Sequence, residues 1–228
     1  MKLLALETAT EACSAAVLVG DRVIERYQWA PRGHADLILP MIEAVLAEAG
    51  LHLGQLDALA VGRGPGTFTG VRIAIAVAQG IAFAADLPVA PISTLAATAW
   101  EVHRHQGSDR IAVALDARLE EVYWGTYQAA TDRGIRLLGE ERVCPPEHTT
   151  LPDTGEWVGA GNGWALYAER LSRPTLGTWW SDYGPTATAV ARLGALAYRR
   201  GETVGAEQVL PVYLRDEVVK QRSPRRSG

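Results

Sequence analysis

Residues 3–29 read LLALETATEACSAAVLVGDRVIERYQW, three short apolar or alternating runs separated by turn chemistry. Residues 3–8, 13–19 and 23–29 predict three strands, and Gly20-Asp21 supplies the tight turn between the second and third. Pro31-Arg32-Gly33 then breaks the pattern. Over residues 34–49 the apolar positions Leu37, Ile38, Met41, Ile42, Val45, Leu46 and Ala49 recur at spacings of three and four, which predicts an amphipathic helix ended by Gly50. A strand follows at 57–62, then a glycine loop at 63–68, a helix at 69–85 and a strand at 87–92. Ser93 is placed to cap a third helix running to about residue 103.

The second half opens in the same way. Residues 110–116, 121–128 and 135–142 predict three more strands, residues 144–153 form a Pro-bearing connection, and 157–160 is a strand before the turn Gly161-Asn162-Gly163. Helices are predicted at 164–171 and 186–200. The order strand-strand-strand-helix-strand-helix therefore occurs twice, which points to a duplicated α/β fold. The expected organisation is one half at 1–105, a shorter half at 106–216, and a basic tail at 217–228.

Composition bounds the function. The chain has 228 residues, 48% hydrophobic and 21% charged, enough to bury a core and incompatible with a disordered or collagen-like chain. Cys13 and Cys144 have no CxxC spacing, so neither a zinc knuckle nor a disulfide framework is expected. The apolar run before Glu7 is too short for a signal peptide, and the run at 73–85 is expected to fall short of a membrane span. The expected location is cytoplasmic, without membrane contact.

Net charge is −4, but Lys220, Arg222, Arg225 and Arg226 concentrate four basic residues at the end. Residues 1–219 then hold 18 basic against 26 acidic groups, a net of −8, which disfavours nucleic-acid binding by bulk charge. The tail alone is suited to touch phosphates. Lys2 and Lys220 are the only lysines, which excludes a P-loop lysine and a Schiff-base enzyme.

Residues 69–85, TGVRIAIAVAQGIAFAA, are apolar or small nearly all round, with Arg72 and Gln79 the long polar exceptions. Such a helix is expected to be buried on every side, one side against the sheet and the other against the helix at 34–49 or another chain. Ala74, Ala76, Ala78, Gly80, Ala82 and Ala84 would let a neighbouring helix approach closely. The candidate partner-binding residues are His34, Leu37, Ile38, Met41 and Val45 on one helix, with Thr69, Arg72, Ile73, Ala76, Val77 and Gly80 on the other.

Two further readings stay open. Gly64, Gly66 and Thr67, at a strand-to-helix turn, could cradle an anion or a nucleotide such as ATP or ADP, with Gly161 and Gly163 as the second-half equivalent. Glu7, Asp116, Glu120 and Glu121 lie on or beside the opening strands and could hold a metal-bound phosphate, as a stand-alone ATP-dependent kinase or ATPase would require. His34, His52, His103, His105 and His148 lack metal-ligand spacing, and no GxSxG elbow is present.

The strand trio opening each half resembles the actin-like ATPase (ribonuclease H-like) architecture. Within it, His34-Ala-Asp-Leu-Ile-Leu-Pro-Met-Ile, Gly64-Pro-Gly-Thr-Phe-Thr-Gly-Val-Arg-Ile73, Asp116-Ala-Arg-Leu-Glu-Glu-Val-Tyr123 and Leu210-Pro-Val-Tyr-Leu-Arg215 resemble the bacterial TsaB (YeaZ) family. The resemblance implies a non-catalytic subunit in the threonylcarbamoyladenosine modification of tRNA, a homodimer alone. In the working complex it implies pairing with the catalytic TsaD subunit and the TsaE ATPase. TsaD carries two metal-binding histidines in a Pro-x-x-His-Leu-x-x-x-His arrangement, and the matching stretch here has Thr94 and Thr98 at those positions. A neutral hydroxyl does not replace imidazole at a transition metal, so the resemblance implies no metal and requires no cofactor.

Overall fold

The computed structural model describes residues 1–131, 134–152, 155–171 and 176–215; the expected tail at 217–228 lies outside them. The first half comprises β1 (Lys2–Glu7), β2 (Ala12–Val19), β3 (Arg22–Trp29), α1 (His34–Ala49), β4 (Ala58–Gly62), α2 (Phe68–Ala85), β5 (Val89–Ile92) and α3 (Thr94–Gln106). The second comprises β6 (Arg110–Asp116), β7 (Val122–Ala130), β8 (Gly134–Cys144), β9 (Trp157–Ala160), α4 (Gly163–Leu166), α5 (Ala168–Leu171), β10 (Leu176–Trp180) and α6 (Ala187–Arg199).

The two sheets run β3-β2-β1-β4-β5 and β8-β7-β6-β9-β10, one order used twice. In each, an antiparallel meander supplies three strands, and two parallel strands are added through helical crossovers. This is the duplicated actin-like, ribonuclease H-like α/β fold. The copies differ on their outer faces. A single 3-10 turn at Pro146–His148 stands where the first half has α1, and the expected helix at 164–171 is split at Tyr167 into two single turns. Trp124, Trp157 and Trp164 fill the space the missing helical surface would cover. Strand β10 carries no alternating pattern in sequence, and it pairs with β9 through an irregular register.

The last helix of each half crosses over. Helix α3 packs on β6, β7 and β8, whereas α6 packs on β1, β2, β4 and β5. One core therefore runs through both sheets, from Leu3, Leu18 and Ala60 to Ile111, Val113 and Ala160. Gly194 lets α6 approach β4 so closely that a Cβ there would overlap that of Ala60. The N-terminus of α6 would leave buried N–H groups unpaired, and three side chains take them up. Ser14 Oγ accepts from Ala187 at 2.9 Å, Glu25 Oε1 from Thr188 at 2.8 Å, and the cap Thr186 Oγ1 from Ala189 at 3.0 Å. Strands β2 and β3 thus hold the helix delivered by the other half.

Helix α2 departs from expectation twice. Thr67 is its N-cap, accepting from the Gly70 N–H at 3.2 Å, so the helix begins at Phe68 and its 18 residues reach the minimum length of a membrane span. Nor is it buried all round. Val71, Ala74, Ile75, Ala78 and Ala82 enter the core, while Thr69, Arg72, Ala76, Gly80 and Ala84 face outward. The small residues therefore serve two surfaces, Ala74, Ala78 and Ala82 inward and Ala76, Gly80 and Ala84 outward.

Ser14→Ala removes the acceptor for a buried helix-terminal N–H and is expected to cost about 1–2 kcal/mol of stability. Urea unfolding should show the midpoint falling with an unchanged slope.

Candidate interlobe cleft and outer helix face

Two surfaces collect the residues singled out by sequence. The first is the cleft where the turn after β1, the glycine loop before α2, the end of β6 and the turn after β9 converge. The glycines there carry close packing. A Cβ on Gly66 would overlap Ala9 and one on Gly70 would overlap the Thr8 carbonyl. On the other side, Gly161 and Gly163 lie so near Ala114 that a Cβ would sit 2.6 and 2.8 Å from its carbonyl oxygen. Of the loop's N–H groups, Arg63 donates to Ile92, Thr67 to Ala9 at 2.7 Å, and Gly70 to Thr67 Oγ1. Gly66 and Gly70 thus pack against the end of β1 and its turn, as Gly161 and Gly163 pack against β6; Gly64 and Thr67 belong to the first of these joints.

A cavity bounded by Thr10, Glu11, Gly66, Asp116, Arg118 and Asn162 is about 60 Å³, and one of about 480 Å³ adjoins it, lined by Tyr27, Trp29, Leu166 and Tyr183, against the roughly 300–1,000 Å³ of small-molecule pockets. Arg118 fills the mouth of the smaller one, pairing with Glu11 at 2.8 Å and Asp116 at 3.1 Å. The Asp116 carboxylate also accepts from the Arg118 N–H at 3.0 Å and from the Tyr167 hydroxyl at 3.2 Å. Arg118, Leu119 and Glu120 have φ of 62°, 55° and 60°. Left-handed backbone costs a non-glycine residue on the order of 1–2 kcal/mol, and the turn is held by backbone bonds between Ala117, Arg118 and Glu121 and by the ion pairs of Arg118. Glu120 approaches Arg170 at 3.7 Å, and Glu121 pairs with Arg215.

Glu7 does not reach the cavity. It is buried under Gly62, whose Cβ would overlap the carboxylate, and it accepts from the Ala9 N–H at 2.6 Å and from Thr94 Oγ1 at 3.3 Å. Burial pushes its pKa up to about 7, against the lowering effect of those hydrogen bonds. Glu7 and Asp116 are therefore held by separate sets of partners. Thr94 and Thr98 are fully buried, Thr98 Oγ1 donating to the Thr94 carbonyl at 2.9 Å. Among the described residues no three His, Cys, Asp or Glu side chains group as a metal site.

The second surface is the outer face of α2, and here the expected residues divide. Thr69, Arg72, Ala76 and Gly80 are exposed, with Ile73 and Val77 half-buried beside them. On α1, however, His34, Ile38, Met41 and Val45 are buried in the chain's own core, and Leu37 is half-buried. The 3.6 period marks the face that packs on the sheet, so those five residues belong to folding rather than to a partner surface. His34 Nε2 lies 2.9 Å from the Thr10 carbonyl and 3.2 Å from that of Ala12, tying α1 to the turn after β1.

Three residues of the outer face escape the sequence reading. The chain has two phenylalanines, Phe68 and Phe83, and both stand exposed on α2, at 57% and 81%. Tyr213 stacks on Phe68 at 5.8 Å between centroids, the Arg72 guanidinium lies 3.6 Å over the Phe68 ring, and Arg72 Nε donates to the Tyr213 hydroxyl at 2.7 Å. The signal for Phe83 was present in sequence, because it continues the 76–80 stripe at the next helical turn. Tyr213 is 141 residues from Arg72 and carries no local signal.

Residues 26–217 match the family model of TsaD, tRNA N6-adenosine threonylcarbamoyltransferase. The chain is 40% identical over 235 residues to the tRNA threonylcarbamoyladenosine biosynthesis protein TsaB of Haemophilus influenzae, covering 99% of this chain and 98% of that one. To TsaB of Escherichia coli it is 39% identical, covering 98% and 99%. The solved structure of YeaZ from Pseudomonas aeruginosa superposes with a TM-score of 0.89 at 49% identity, over 93% of this chain and 99% of that one.

Burial of Glu7 has a measurable consequence. Its pKa is raised in the folded state, so folding binds a proton, and its contribution to stability falls as pH rises from the unfolded value of 4.5 through about 7. Glu7→Gln should abolish that slope, leaving the variant more stable than wild type at pH 8 by about 3 kcal/mol, with little difference at pH 4.5. Thermal unfolding across this range checks both the sign and the window.

Proposed function

The chain belongs to the TsaB (YeaZ) family of tRNA threonylcarbamoyladenosine biosynthesis proteins, and we propose that within that pathway it acts as a non-catalytic subunit whose working surface is the outer face of α2. It pairs there with the catalytic TsaD subunit, in an assembly that TsaE joins, and needs no metal or nucleotide of its own. One observation carries this reading: both phenylalanines of the chain stand in solvent on a single helix, beside the small residues Ala76 and Gly80. Exposed apolar surface of this kind marks association, and small residues let a second helix come near.

Several features support the absence of catalysis. Thr94 and Thr98 occupy the positions at which the resemblance to TsaD places metal-binding histidines, and both hydroxyls sit in internal hydrogen bonds. Glu7 and Asp116 are each held by separate partners, and Arg118 occupies the part of the cleft beside Asp116. The kinase alternative lacks a comparable observation in its favour. Any contact with tRNA is through partners or through the basic residues after 219.

In the absence of partners the same face would pair with itself. Two antiparallel α2 helices crossing between Ala76 and Gly80 bring Arg72 of one copy opposite the exposed Asp86 of the other, twice by symmetry. The contact is self-complementary in charge as well as in shape.

Gly80→Glu places a charge on the exposed stripe, away from the core, and should leave the fold intact by circular dichroism. Affinity for TsaD is expected to fall by about a hundredfold or more, because the carboxylate would be buried without a partner. Reconstitution with TsaD, TsaE and the donor synthase should then form little threonylcarbamoyladenosine, whereas Asp116→Asn should retain it. Full modification with Gly80→Glu would place the interface elsewhere; loss with Asp116→Asn while the complex persists would give the cleft a chemical role.

A further inference from the structure

We infer that residues 209–215 form a strap coupling occupancy of the outer face of α2 to opening of the interlobe cleft, with Arg118 as the latch. The inference rests on the proposal that α2 docks a partner, and it concerns what docking does inside this chain.

The strap has no regular secondary structure and is held by discrete contacts. Val209 accepts through its carbonyl from Gln79 Nε2 at 2.9 Å, and the Val212 N–H donates to the Arg63 carbonyl at 2.9 Å. In its middle, Tyr213 is half exposed and is part of the docking face itself, stacked on Phe68 and bonded to Arg72. At its end, Arg215 donates to the Ala117 carbonyl at 3.1 Å and pairs with Glu121. Those two residues bracket the left-handed turn at Arg118, Leu119 and Glu120, which closes by hydrogen bonds from Ala117 N to Glu121 O and from Glu121 N to Arg118 O.

From that turn Arg118 reaches across the cleft to Glu11, on the turn between β1 and β2, while also holding Asp116. The Arg118 side chain is 69% exposed, so its pairing depends on the turn that presents it rather than on packing around it. A continuous set of contacts therefore runs from Phe68 and Arg72 through Tyr213 and Arg215 to the strained turn and across to the first half. A non-glycine turn in this backbone region has a relaxed alternative whenever its anchors are released. Release of this turn is the two-state element the proposed coupling requires. A partner seated on Phe68 and Arg72 must accommodate or displace Tyr213, and either choice biases the latch.

Amide hydrogen exchange of the full chain tests this. Arg118→Ala should raise exchange in residues 8–12 and 115–121, and Tyr213→Ala, at the far end of the strap, should raise it in the same segments by roughly fivefold or more. In an Arg215→Ala background, Tyr213→Ala should add nothing at the cleft. Tyr213→Phe, which keeps the ring stack and removes only the hydroxyl, should give a smaller rise in the same segments and serves if Tyr213→Ala does not fold. Exchange confined to 68–72 and 209–215, with the cleft at its wild-type rate, would overturn the strap, as would additive effects of Tyr213→Ala and Arg215→Ala. Adding TsaD separates the two proposals. Failure to bind would count against the proposed interface, whereas binding that leaves cleft exchange unchanged in wild type would overturn the coupling alone.

Discussion

Gly66 and Gly70 lie against the backbone of Ala9 and Thr8 where no side chain fits, and Gly161 and Gly163 repeat that approach on Ala114. Each strand-to-helix turn is thereby drawn onto the end of the first strand of its own sheet. Helix α2 is fixed at its start by this joint and by the Thr67 cap, so its inner face must lie along the sheet. The outer face, with Phe68 and Phe83, is then directed away from the chain's own core. Between the same joints Arg118 spans the cleft to Glu11. The outward face of α2 and the close approach of the two turns are thus two results of one packing constraint.

The exchange of α3 and α6 between sheets adds a second constraint. Neither half completes its core without the other's last helix, so the halves fold as one hydrophobic unit. The polar caps that Ser14 and Glu25 provide for α6 keep this docking specific. Burial raises the Glu25 pKa, and the Thr188 and Ala187 backbone N–H groups offset part of that rise, as expected for a carboxyl that serves a helix N-terminus inside a protein.

Much of the fold was legible because its signals are local. The opening meander, Gly50 as a left-handed helix end and Ser93 as a cap were all readable from spacing and turn chemistry. Strand β10 was not, since LGTWW has neither alternation nor a flanking turn pair and is ordered only by pairing with β9. The site was legible in part. Thr69, Arg72, Ala76 and Gly80, singled out because α2 is apolar beyond what one sheet can cover, are exposed. His34, Ile38, Met41 and Val45 were misassigned because periodicity reports a buried stripe without saying which surface buries it. Tyr213 and the Arg118 bridge arise from contacts between distant residues, and nothing in a local window announces them.

The central claim is that α2 meets the partner with its outer face, and the chain's composition supplies a selective probe. Phe68 and Phe83 are its only phenylalanines, so incorporation of 4-fluorophenylalanine gives a fluorine spectrum of two resonances, both from that face. Titration with TsaD should shift both resonances and protect them from a dissolved paramagnetic agent. Two unshifted resonances that remain fully accessible while the complex forms would contradict the account.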